Sequence, residues 1–129
     1  MKENPLKDKS YDFALKIIAT CRELQVGLRE FVLSGQLVRS GTSIDANAEE
    51  AIGAQSKRDF LSKIAISYKE ARESNYWLRL LRDSKLLETE KANRLILHSE
   101  ELIKIMGAII STTKKGLNEN CKTDIVIHS

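Results

Sequence analysis

Gln36–Glu50, QLVRSGTSIDANAEE, is the stretch whose reading decides the fold. Wound at about 100° per residue, Ser40, Ser43, Asn47 and Glu50 fall on one narrow stripe. Beside it runs an apolar stripe of Leu37, Ile44, Ala48 and Ala51. A solvent-facing helix surface usually carries Lys and Glu, and a plain core face carries Leu and Ile. Small hydroxyls and one amide beside small apolar side chains instead predict close helix contact with buried hydrogen bonds. Gly41 costs this helix roughly 1 kcal/mol relative to Ala, so it is expected where a neighbouring backbone comes close.

Outward from this helix, the spacing predicts three more. Phe13, Ala14, Ile17, Cys21, Leu24 and Leu28 repeat at three and four and define a first helix over about 6–31. Pro5 can begin it without breaking it. Phe31-Val-Leu-Ser-Gly reads as a turn, with Ser34 capping a second helix over about 34–54. Ser56 as N-cap and Asp59 three residues on open a third, over about 56–83, whose inner stripe is Phe60, Ile64, Ser67, Ala71, Ser74 and Leu78. Thr89 caps the last, over about 89–116, where Ala92, Leu95, Ile96, Ser99, Leu102, Ile103, Met106, Ile109, Ile110, Thr113 and Leu117 share a face. Residues 1–117 are therefore expected to form one all-α, up-down-up-down four-helix bundle. Residues 118–129 are expected to be a flexible tail.

Composition agrees. The chain has 129 residues, one Pro and 30% charged side chains, which suits a single helical domain with a real core. Met1–Ser10 is too polar for a signal peptide and no apolar run approaches a membrane span. Cys21 and Cys121 form no metal-type spacing, and a reduced, cytoplasmic protein is expected. The net charge of +3 is unevenly spread. Residues 56–85 hold eight Lys/Arg against four Asp/Glu, whereas residues 34–54 hold one against three. Any anionic partner is expected on the former.

QLVRSGTSIDANAEEA followed by SKRDFLSKIAISYKEARESNYWL resembles the bacterial four-helix-bundle proteins encoded in intervening sequences of large-subunit ribosomal RNA genes. Gln36, Arg39, Ser40, Ser43, Ile44, Asn47, Glu50, Phe60, Ile64, Ala65 and Glu70 fit that family's pattern. The chain departs from it at Ala51-Ile52-Gly53, where the family's Gly stands closer to its Glu. The resemblance implies a ring-like homopentamer. It also implies kinship with the accessory proteins of diversity-generating retroelements, which bind nucleic acid and a reverse transcriptase through a basic surface.

No catalytic constellation is visible. His98 and His128 are the only histidines, one expected on a bundle surface and one in the tail, and no Ser-His or Cys-His catalytic arrangement is suggested. There is no Gly-rich phosphate loop, and no inward Glu-x-x-His pair of the kind that holds metals in bundles. No enzyme, metal or cofactor is expected. Cys21 reads as a small core residue. The Ser40/Ser43/Asn47/Glu50 stripe reads as a register-fixing polar ladder rather than a ligand site, with Arg39 pairing a carboxylate across helices or subunits. A helix-turn-helix over 37–66 conflicts with the helix lengths.

The functional candidate is the outer face of the third helix: Arg58, Lys69, Arg72, Tyr76 and Arg79. Lys and Arg meet phosphates, and an interleaved Tyr stacks on an unpaired base. Glu73 and Asp83 stand close enough to neutralise part of it. Ile66, Trp77 and Leu80, with Leu97 and Ile105 on the last helix, are surplus to one core and are expected at a subunit contact. The basic face fits RNA or DNA binding, and the surplus apolar residues fit a scaffolding or protein-interaction role with no nucleic acid.

Overall fold

The computed structural model describes residues 4–128, and their side chains through residue 118. Four helices follow in order: α1 Pro5–Leu28, α2 Val32–Ile52, α3 Lys57–Asp83 and α4 Thr89–His128. Among the described residues every regular element is helical.

The helix ends have local chemical causes. The Asn4 side chain accepts from the Lys7 amide at 3.1 Å, and Pro5 occupies the first turn. α1 stops at Leu28, earlier than the expected Phe31, because Arg29 turns left-handed at φ 52° and the Arg29 and Glu30 amides reach back to the Leu24 carbonyl. Ser34 does not cap α2. The Glu30 carboxylate does, accepting from the Leu33 and Ser34 amides at 2.9 and 2.8 Å. Partial burial works to raise the Glu30 pKa, but these amides prevail and hold it below the usual carboxylate value. Ser34 lies buried one turn into α2, where its hydroxyl accepts from Gln25 Nε2. α3 begins as expected, with Ser56 Oγ accepting from the Asp59 amide at 3.0 Å.

α4 continues to His128, past the expected end near 116. Residues 117–128 contain neither Pro nor Gly, so nothing there stops a helix. Cys121, His128 and the rest of the expected tail from 119 onward lie outside the described side chains.

The helices pack as a cycle. α2 meets α3 and α3 meets α4 most extensively, α1 meets α2 less so, and the α1–α4 seam is the thinnest. The backbones of α1 and α3 stay apart, as do those of α2 and α4, which makes these the diagonal pairs across the core. The core takes Phe13, Ile17, Leu37, Ile44, Ile64, Leu78, Leu81, Leu102 and Met106, all fully buried. Leu28 is 57% exposed and belongs to no core. The close approach at Gly41 is made by the Ile17 side chain rather than by backbone.

Serine supplies the buried rungs between helices. Ser67 Oγ donates to the Ile44 carbonyl at 2.7 Å, and Ser74 and Ser40 share a 2.9 Å hydrogen bond between α3 and α2. Asn75 Nδ2 donates to Ser99 Oγ at 3.0 Å between α3 and α4. Ser43 and Asn47 instead donate to the Arg39 and Ser43 carbonyls of their own helix. Glu50 is exposed and pairs with Lys63 at 3.1 Å. The inter-helix ladder thus uses Ser40 from the opening stripe and draws its other rungs from α3 and α4.

Candidate nucleic-acid interface

The register of α3 follows from its inner stripe. Ile64, Ser67, Ala71, Ser74 and Leu78 are buried and Phe60 is half-buried against the core, so the opposite face must look outward. That face carries Arg58, Lys69, Arg72, Tyr76 and Arg79, all exposed. Arg58 and Arg79 stand about 32 Å apart along the axis at 1.5 Å per residue.

Two cation–aromatic pairs are built into this face. The Arg72 guanidinium lies 5.9 Å from the Tyr68 ring, and the Arg79 guanidinium 5.9 Å from the Tyr76 ring. Arg79 Nε also donates to Asn75 Oδ1 at 2.9 Å, which fixes the side chain without neutralising it. Tyr76 meets Trp77 edge-on at 5.0 Å. Tyr68 was not among the sequence candidates; its signal was the i, i+4 spacing to Arg72.

The nearby carboxylates are engaged elsewhere. Arg39 of α2 reaches across to Glu70, at 3.1 Å, and to Glu73. Glu73 also accepts from Trp77 Nε1 at 3.1 Å, and Gln36 Oε1 accepts from Arg39 Nε at 3.4 Å. Asp83 pairs with Arg82 at 2.8 Å. Among the described residues, none of Arg58, Lys69, Arg72 and Arg79 takes part in an ion pair. Glu73 and Asp83 are therefore occupied by other cations.

Of the interface candidates, Leu97 is 65% exposed, Ile66 40% and Leu80 36%, while Trp77 and Ile105 are half-buried against this chain's own core. A longer apolar stripe lies on α1. Tyr11, Leu15, Ile18 and Val26 are exposed at helical spacing, and their i, i+4, i+7 pattern stood in the sequence behind the stronger core stripe of the same helix.

The chemistry elsewhere is quiet. Burial, reinforced by the Glu30 charge, pushes the Cys21 thiol up to about 12, so it carries no thiolate reactivity. His98 is half-buried against α1, edge-on to Phe13 at 5.2 Å, rather than on the open surface expected from sequence. Among the described residues no three His, Cys, Asp or Glu side chains come together to hold a metal, and no helix is long and apolar enough to cross a membrane.

These features define a small all-α protein of four packed helices with a basic, aromatic-bearing outer face. The chain belongs to the 23S rRNA-intervening sequence protein family, whose pattern it matches over residues 2–108. It is similar to a crystal structure of a protein of unknown function from the S23 ribosomal protein family of Bacteroides thetaiotaomicron VPI-5482. The two are 43% identical with a TM-score of 0.80, over 81% of this chain and 97% of that one. No curated protein matches the chain.

Proposed function

We propose that this chain is a non-enzymatic, cytoplasmic, up-down-up-down four-helix bundle that assembles as a homo-oligomer and binds single-stranded RNA or DNA along α3. The observation that carries this reading is the set of four exposed cations, Arg58, Lys69, Arg72 and Arg79, outside any ion pair among the described residues and interleaved with Tyr76. Single strands are held by a positive track for the backbone and by aromatic faces for the bases. An α3 face of this length spans several nucleotides, and repetition in an oligomer multiplies a weak contact into an avid one.

The homo-oligomer, a pentamer by family resemblance, is supported by apolar surface on two sides. Tyr11, Leu15, Ile18 and Val26 lie on α1, while Ile66 and Leu80 lie on α3, diagonally across the core from α1. Unlike faces on well-separated helices suit a head-to-tail contact that closes into a ring. The same surface favours the second reading, a scaffold or protein-interaction module with no nucleic-acid role, for which a reverse transcriptase is the partner that the family resemblance implies. Gel-shift titration with short single-stranded RNA and DNA at low and moderate salt separates the two. Retention that falls steeply with salt supports binding; no shift at low salt, with an intact oligomer by light scattering, leaves the scaffold.

A further inference from the structure

The thin α1–α4 seam holds a half-open pocket of about 250 Å³, with Thr20 and Leu95 buried at its base and Lys16, Ala19, Lys91, Arg94 and His98 around its rim. Its rim charge is only partly spoken for. Lys16 pairs with Asp12 at 3.0 Å and Lys91 with Glu23, whereas Arg94 forms no ion pair among the described residues. One positive charge is left over at the mouth of an apolar hollow.

Thr20 points to the same chemistry. It is 2% exposed and lines the pocket, yet its hydroxyl makes no hydrogen bond among the described residues. Thr42 and Thr113, by contrast, each bond a carbonyl four residues back at 2.7 Å. Among the described residues, the buried side-chain oxygens left without a partner are Ser10 Oγ and Asp45 Oδ1, not Thr20 Oγ1, so the Thr20 hydroxyl faces the pocket's solvent and can donate to whatever displaces that water.

We propose that this pocket binds a small organic monoanion, a carboxylate carried on a short apolar body. Arg94 and the Thr20 hydroxyl meet the carboxylate, and the body lies on Ala19 and Leu95. A single surplus cation fits one negative charge better than a phosphate dianion, and buried Leu95 offers an organic body an apolar contact that an inorganic anion would not use. The volume is below the roughly 300–1,000 Å³ of drug-sized sites, which limits the ligand's size. His98 tunes the rim. Its burial and the Lys16 charge hold the imidazole below its usual pKa, against Asp12 of α1, Glu101 of α4 and the Lys9 carbonyl. A bound carboxylate therefore favours its protonation.

The test is a titration of the full isotopically labelled chain with octanoate, octanol and inorganic phosphate, followed by amide NMR shifts. Saturable shifts centred on residues 16–20 and 91–98 are expected with octanoate, and much weaker ones with octanol or phosphate. Arg94→Gln, at an exposed position, is expected to weaken octanoate about tenfold or more, as loss of one charge-assisted hydrogen bond does, with the melting temperature unchanged. Thr20→Val is expected to weaken it as well. Equal binding of octanol and octanoate, parent-like affinity in Arg94→Gln, or no saturable shift at millimolar octanoate overturns the proposal.

Discussion

Gly41 of α2 lies directly against the Ile17 side chain of α1: a Cβ at Gly41 would stand 2.8 Å from Ile17 Cγ2 and 3.1 Å from Cγ1. Ile17 is fully buried and β-branched, so it has no easy rotamer to retreat into. Gly41→Ala gains about 1 kcal/mol of helix propensity and overpacks the seam at a typical cost of 1–3 kcal/mol. The expected result is a net loss in chemical denaturation, opposite in sign to the same substitution at Gly35, where a Cβ meets nothing within 4 Å.

The buried serines and the half-buried amide should differ. Ser74 is fully buried and bonds Ser40 across the α2–α3 seam, so Ser74→Ala removes the inter-helix bond while Ser40 keeps the Leu37 carbonyl at 3.3 Å, and it is expected to cost about 1–1.5 kcal/mol. Asn47 bonds only the Ser43 carbonyl of its own helix, and Asn47→Ala should cost less, about 0.5–1 kcal/mol. Urea midpoints of the two variants check the order.

Asp45 gives the fold a pH dependence. Burial, a hydrogen bond with Glu49 and the Glu49 charge push its carboxyl up to about 6 from an ordinary 3.8, against the pull of Lys7. One of its oxygens is also buried without a partner. Because the folded pKa is the higher one, the folded state holds the proton more tightly. Asp45's contribution is complete below about pH 4 and is lost as pH rises through about 6. Asp45→Asn should therefore match the parent in acid and exceed it in stability above pH 6. Melting temperatures between pH 4 and 8 read the crossover.

Much of this was legible in the sequence, because apolar residues at three-and-four spacing can bury themselves in few ways. The inner stripes of α3 and α4 and the Ser56 cap follow directly. The orientation of Asn47 and Glu50 does not, since a stripe of about 100° is wide enough that one edge is buried and the other wet. Ser40 fell on the buried edge and Glu50 on the wet one. The cap of α2 is not legible either, because Ser34 is a good cap by type, while the actual cap is the longer Glu30 side chain reaching the Leu33 and Ser34 amides. Nor does periodicity reveal which cation takes which carboxylate. Arg39 capturing Glu70 and Glu73 is a product of packing, and it is what leaves the α3 face charged.

Tyr76 separates stacking from charge. Tyr76→Ala should reduce affinity for single-stranded RNA by about 1–3 kcal/mol, the worth of one stacked base, and leave the salt dependence unchanged. Tyr76→Phe should retain most of the affinity. Fluorescence anisotropy at several salt concentrations reads both quantities.

The most direct measurement is the salt dependence of single-stranded RNA affinity for the parent chain and for Arg72→Glu/Arg79→Glu. The parent should bind with a log–log slope of about −0.7 per phosphate contacted. The double variant should keep its helicity and oligomer size while losing binding. Absence of binding by the parent at low salt, or equal affinity in the variant, would contradict nucleic-acid recognition by α3.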